Sequence, residues 1–312
     1  MSSDKHLLIA FDNSPASIKS LHYCSLLFAD DPDVNFHLLH CHSGSAGAFL
    51  PKPVNQADSL LPENDLDKGQ KNISESILGK GVALLKSYNI SEKSIECSSI
   101  STANQIGESI IFEADKKLSD SIIVARRGLG YLGEMVLGSV SAALFRNSHT
   151  IPLWVIDGEI VSKDVLVGVD GSVDALRAIE HLAHIFRNRD DVTFYLYHCT
   201  VFLAPAVVCT LDKFYREWDR NWCDTYLAGV GCLYDGPKQL LKEAGINENR
   251  VVVLPETRTI QESTSIITQA RNHKCGTIVI GRRGPGVTKG FFGGVSNQTI
   301  RQTQNMAVWV VG

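Results

Sequence analysis

The 312 residues, 44% hydrophobic and 21% charged, suit a soluble globular protein with room for two domains of about 150 residues each. A net charge of -4, with no acidic or basic tail, points away from nucleic acid and from membrane surfaces. No apolar stretch approaches the roughly 18 residues needed to cross a bilayer, and the start of the chain carries no secretory apolar region, so a cytoplasmic location is the expectation. The eight cysteines are scattered without a CxxC pair, which predicts reduced, mostly buried thiols rather than a disulfide framework.

In chain order, Leu7–Phe11 predicts a strand ending in Asp12, and Ser14-Pro15 supplies the N-cap and first position of a helix that ends near Pro32. A strand at Phe36–Cys41 follows, then a Gly- and Pro-rich stretch, about 43–66, that predicts a long loop. A helix with Ile73, Ile77, Leu84 and Leu85 comes next. It is followed by a strand at Ile95–Ser99, a helix over roughly 103–117, a strand at Ile122–Ala125, a glycine-containing loop, a short helix from Ser139, and a strand at Leu153–Ile156. Alternating strands and helices, with near-continuous apolar strands, imply a parallel sheet covered on both faces.

The second half repeats this order. Val165–Val169 runs into Asp170-Gly171-Ser172, Phe194–Cys199 matches Phe36–Cys41, and Val308–Val311 matches Leu153–Ile156. The offset is 158 positions from Asp12 to Asp170 and from Cys41 to Cys199. It is 156 from Gly128 to Gly284 and 155 from Ser141 to Ser296. A drift this small, with the elements in unchanged order, marks a tandem duplication, with domains at 1–158 and 162–312.

Candidate functional residues come in the same pairs. Asp12 and Asp170 stand at the carboxyl ends of first strands, where open α/β sheets bind ligands, although each can equally cap the helix that follows. Ser121–Ser141 and Thr277–Ser296 both read as buried strand, Arg-Arg-Gly, glycine loop and helix start. A helix start offers unpaired N–H groups and a positive dipole end, which suit a phosphate. The arginines, Arg126-Arg127 and Arg282-Arg283, either meet phosphate oxygens or, as exposed loop residues, are solvated or pair across the domain interface. His40 and His42 share a face opposite Cys41, without the further ligands that a metal needs. Phe214, Trp218, Trp222 and Tyr226 recur every four residues, a stripe if helical, with packing against the other domain or a second subunit set against a ligand or partner surface. GxxxxGK[ST], GxSxG and HExxH are all missing.

With an Asp ending the first strand and a G-x2-G-x9-G-[S/T] type loop after the fourth, the chain resembles a tandem universal stress protein over nearly its whole length. The resemblance implies two doubly wound five-stranded parallel-sheet domains of the adenine nucleotide alpha hydrolase-like class, joined through their last strands as an intramolecular pseudo-dimer, with further dimerisation open. It also implies binding of an adenine nucleotide: ATP first, AMP or ADP otherwise, with Mg only as the companion of ATP.

The residues implied in the first repeat are Asp12, Cys41 through its backbone, Arg127, Gly128, Gly138, Ser139 and Ser141. In the second they are Asp170, Cys199, Gly281, Arg283, Gly284, Gly293, Gly294 and Ser296. The first repeat departs from the pattern at Ala125, where a glycine belongs. The second has a loop one residue short, and either Gly294 or Val295 stands in the hydroxyl position. A regulatory stress-response role is expected. The alternatives are a nucleotide-free scaffold for a partner protein or small ligand and, more weakly, slow ATP hydrolysis or self-phosphorylation, for which the sequence shows no base.

Overall fold

The computed structural model describes residues 4–43, 65–102, 105–126, 138–202, 207–282 and 294–312. The chain forms two compact units, Met1–Ala125 with Ser139–Asn147, and Arg126–Gly138 with Ser148–Gly312. The repeat predicted from sequence and the compact unit therefore differ in content, because the last strand of the first repeat belongs to the second unit.

The first unit runs β1 (Lys5–Ala10), α1 (Pro15–Phe28), β2 (Val34–Ser43), α2 (Asp65–Ser87), β3 (Ile95–Thr102), α3 (Ile106–Lys116), β4 (Ser121–Ala125) and α4 (Ser139–Asn147). Its strands lie in the order β3-β2-β1-β4, all parallel. Leu7, Leu8, Ile9, Leu38, Leu39, Ile122 and Ile123 are fully buried, as apolar strands covered on both faces must be. Helix α1 starts where Ser14 accepts a 3.2 Å hydrogen bond from the Ser17 N–H and Pro15 supplies a preset φ.

The second unit begins with β5 (Leu153–Ile156) and continues β6 (Val165–Gly168), α5 (Val173–Ile185), β7 (Phe194–Tyr197), β8 (Cys199–Val201), α6 (Arg220–Tyr226), α7 (Asp235–Glu243), β9 (Val251–Val253), β10 (Thr257–Thr259), α8 (Glu262–Asn272), β11 (Thr277–Gly281), α9 (Val295–Gln302) and β12 (Ala307–Val311). Its main sheet is ordered β9-β7-β6-β11-β12-β5, parallel except that β5 runs antiparallel to β12. The two last strands thus pair as the resemblance implied. At their centre Trp154 faces Trp309 in register, the rings stacked 3.6 Å apart and 3° from parallel. Trp154 donates its Nε1–H to His181 Nε2 at 3.2 Å, while Trp309 Nε1 is buried with no partner among the described residues.

Two expectations change. The strand expected over Phe194–Cys199 divides, and β8 leaves the main sheet to pair with β10. Pro255, between β9 and β10, has no N–H to offer the ladder, and the interruption separates the two short pairs. The aromatic stripe is not one helix: Phe214 lies in a 3-10 turn at Leu211–Arg216, and only Trp222 and Tyr226 lie in α6. Phe214, Cys223, Leu227 and Cys232 pack with Leu176 of α5, and Trp218 and Trp222 flank them, so the segment serves the core of its own unit.

Candidate functional site

The strand register brings the aspartate and the cysteine predicted in each repeat to one edge. Phe11 N–H bonds the Leu39 carbonyl and Val169 N–H bonds the Tyr197 carbonyl, both at 2.9 Å, so Asp12 leaves β1 beside Cys41 and Asp170 leaves β6 beside Cys199. β4 and β11 flank the other side of β1 and β6, which places each edge at the point where strand order reverses.

Both aspartates are exposed and both hold a turn. The Ser14 N–H donates to Asp12 Oδ1 at 3.0 Å, and the Ser172 N–H donates to Asp170 Oδ1 at 2.9 Å. The residue between lies in the left-handed region in each case, Asn13 at φ 58° and Gly171 at φ 73°. The capping role and a ligand role are therefore compatible, because a carboxylate has lone pairs beyond the one this turn uses.

The helix starts are tied down in the same way twice. Ser141 Oγ donates to the Ala125 carbonyl at 3.1 Å, and Ser296 Oγ donates to the Gly281 carbonyl at 3.2 Å. Each bond spans the glycine loop and fixes the amino end of α4 or α9 to the end of the fourth strand of its repeat. Ser296 is thereby the counterpart of Ser141, and Gly294 is the counterpart of Ser139. Gly294 caps α9 with no side-chain bond, and a Cβ added there would meet open space.

Gly281 has a packing role that the sequence did not reveal. A Cβ there would stand 2.6 Å from Ala175 N and from the Asp174 carbonyl carbon, so the first turn of α5 presses directly on the strand end. Gly138, Ser139, Ser141, Gly294 and Ser296 are thus placed at helix starts, whereas Arg127, Gly128, Arg283, Gly284 and Gly293 lie outside the described residues.

Arg126 and Arg282 both donate to backbone carbonyls. Arg126 is 6% exposed and donates to the carbonyls of Ile300, Thr303 and Arg301 at 2.9, 2.7 and 3.1 Å, closing the carboxyl end of α9. Burial lowers its pKa, and Asp157 partly offsets that. Arg282 donates to the Ser148 carbonyl. The reading in which the first arginine of each pair meets phosphate is corrected: these two serve helix and loop carbonyls.

Burial pushes the Cys41 thiol up to about 12 and the Cys199 thiol up to about 11, which favours the protonated form of both near neutrality. His40 Nδ1 bonds Ser74 Oγ at 3.0 Å and His42 Nδ1 bonds Gln70 Oε1 at 2.9 Å, which fastens α2 to the end of β2. His198, the counterpart of His40, donates Nδ1–H to the Val169 carbonyl at 2.6 Å. Among the described residues no three His, Cys, Asp or Glu side chains converge as metal ligands, and no helix is long and apolar enough to cross a membrane.

One cysteine expectation is overturned: Cys209 and Cys232, 23 residues apart, form a disulfide with Cα atoms 6.0 Å apart. Their spacing matches no motif, so only the fold could reveal the pair.

A family model described as the universal stress protein family matches residues 4–157 and again 162–312. The chain belongs to the universal stress protein family. A universal stress protein from Archaeoglobus fulgidus DSM 4304 is similar along 99% of this chain and 96% of its own, with 18% identity and a TM-score of 0.60. A functionally unknown protein from Pseudomonas aeruginosa PAO1 matches 99% of this chain and 93% of its own, at 13% identity and a TM-score of 0.55. A universal stress protein family member from Arabidopsis thaliana, solved with AMP bound, covers 49% of this chain with 90% of its own, at 16% identity and a TM-score of 0.33. No curated protein matches. In this universal stress protein the alternation of strands and helices continues through both repeats.

Proposed function

We propose that the protein binds an adenine nucleotide, ATP foremost, at the carboxyl ends of the strands in at least one repeat, and that it acts as a regulator in a stress response rather than as a metabolic enzyme. One observation carries this reading. Each repeat has an exposed aspartate whose Oδ1 holds a turn at the end of its first strand, and a helix start pinned by a serine to the neighbouring strand. In this reading the carboxylate accepts from ribose hydroxyls and N–H groups of the helix start donate to phosphate. In this reading Mg arrives with the phosphates of ATP.

The first repeat is favoured, because Ser139 keeps the hydroxyl that Gly294 lacks. Titration calorimetry of the whole chain with ATP, ADP and AMP tests the reading. Saturable binding that Ser139→Asp abolishes supports the first repeat, through charge repulsion with phosphate. Binding that survives Ser139→Asp and is lost in Gly294→Asp moves the site to the second repeat. No saturable heat with any of the three nucleotides overturns the proposal and leaves the scaffold alternative.

A further inference from the structure

The Cys209–Cys232 disulfide stands against the second of the two aspartate turns. Gly171 directly follows Asp170. A Cβ built on Gly171 would lie 2.9 Å from Cys232 Sγ and 2.7 Å from Val207 Cγ1. Gly171 has φ 73°, so this turn needs a left-handed residue and has no room for a side chain. The bridge and Val207 therefore form one wall of the Asp170 turn, while Asp170 itself stays exposed.

The same bridge covalently ties two stretches that also meet through the apolar cluster and the Cys209 N–H to Gly229 carbonyl bond. Cys209 belongs to the chain that leaves β8, which starts at Cys199, and Cys232 belongs to the turn between α6 and α7. Both join the apolar cluster over Val173 and Leu176 in the first two turns of α5. The first turn of that helix touches Gly281 at the entry to the second glycine loop. Asp170, Val207 with Cys209, and Gly281 thus all bear on the amino end of α5, and the disulfide clamps one side of it. Cys209 is half-buried and Cys232 is buried, so a small thiol has its access through Cys209.

We propose that Cys209 and Cys232 form a redox control on nucleotide binding by the second repeat. This rests on the reading that the Asp170 edge takes an adenine nucleotide. Two molecules of a low-molecular-weight thiol such as glutathione reduce the bridge. One thiolate attacks Cys209 Sγ and releases Cys232 as the leaving thiolate, which takes up a proton. The second thiol resolves the mixed disulfide, giving glutathione disulfide and two protein thiols. Glutathione disulfide reverses the sequence. Without the bridge the wall at Gly171 is no longer tethered, and the cost of ordering the turn falls on ligand binding.

The test uses the whole chain carrying Ser139→Asp, so that binding reports the second repeat, and compares a form oxidised by glutathione disulfide with a form reduced by dithiothreitol. Mass and thiol counting define each state. The expected result is ATP binding at least about fivefold weaker in the reduced form, with Cys209→Ser matching the reduced form and losing all response to dithiothreitol. Equal affinity in both states overturns the inference, as does failure of glutathione disulfide to form the Cys209–Cys232 bridge. ATP binding by the wild type but by neither state of Ser139→Asp also overturns it, while leaving nucleotide binding by the first repeat intact. Only the loss of binding by the wild type itself overturns the functional reading.

Discussion

The two aspartate turns were built from one plan and have since been supported by different means. In the first repeat, Asn13 supplies the left-handed position, and α2 is fastened to the end of β2 by His40–Ser74 and His42–Gln70. In the second, glycine supplies that position, a disulfide and Val207 crowd it, and His198 turns inward to the Val169 carbonyl. The serine that crosses the glycine loop is common to both. The shared bonds mark what both edges require, and the differences mark where each was free to adapt.

The seam strands should give the largest effects. Trp309→Ala and Trp154→Ala each remove a fully buried stacked ring and are expected to cost about 3–5 kcal/mol in denaturant unfolding. The pair should part company on change to Phe, which costs more at Trp154, whose Nε1–H serves His181, than at Trp309, whose Nε1 has no partner among the described residues.

The glycine pattern should break next. Gly281→Ala drives a methyl into the backbone of α5 and is expected to cost about 3 kcal/mol. Ala125→Gly in the first repeat should cost less than about 1 kcal/mol, chiefly through backbone entropy. Equal costs in thermal unfolding would show that the two strand ends meet their helices alike.

Gly294→Ser adds a hydroxyl in open space at the start of α9, which gives the second repeat the counterpart of Ser139. An added hydrogen bond of about 1 kcal/mol corresponds to roughly fivefold tighter ATP binding by calorimetry. No gain would place the weakness of the second repeat in its shortened loop.

The smallest effect separates the histidines. Burial lowers the pKa of His37, where Lys117 and Glu96 act in opposite senses. Burial, with His42 adding to it and Asp12 opposing, lowers that of His40. Burial favours the neutral form of both in the fold, while the unfolded chain takes up protons below about pH 6.5. Their contribution is complete above that pH and declines as pH falls toward the folded values. The unfolding midpoint should therefore drop between pH 7.5 and 5.5, and His40→Gln should lessen the drop.

Much of this was legible in the sequence because it repeats. Strands such as Ile122–Ala125 and Leu153–Ile156 are apolar throughout, and the paired motifs fix their order. The last-strand pairing followed from the family resemblance. What stayed hidden depends on contacts far apart in sequence. Nothing local distinguishes Arg126, which caps α9 more than 170 residues on, from Arg127 beside it. Gly281 reads as a ligand glycine until α5 is seen against it. Cys209 and Cys232 read as two more scattered thiols until the turn after α6 brings them together. Pro255 was visible, but its effect on β8 appears only once β9 and β10 are paired.

The pairing of β5 with β12 also sets a schedule for synthesis. Trp154 leaves the ribosome about 155 residues before Trp309, the residue it faces. At about 5–20 residues per second, β5 waits roughly 8–30 s for its partner strand. Through that interval an apolar strand carrying a tryptophan has an open edge, and it needs protection by a chaperone or by transient contacts within the nascent chain. Having both halves of the seam in one molecule means that the earlier half waits for the later one while it is being made.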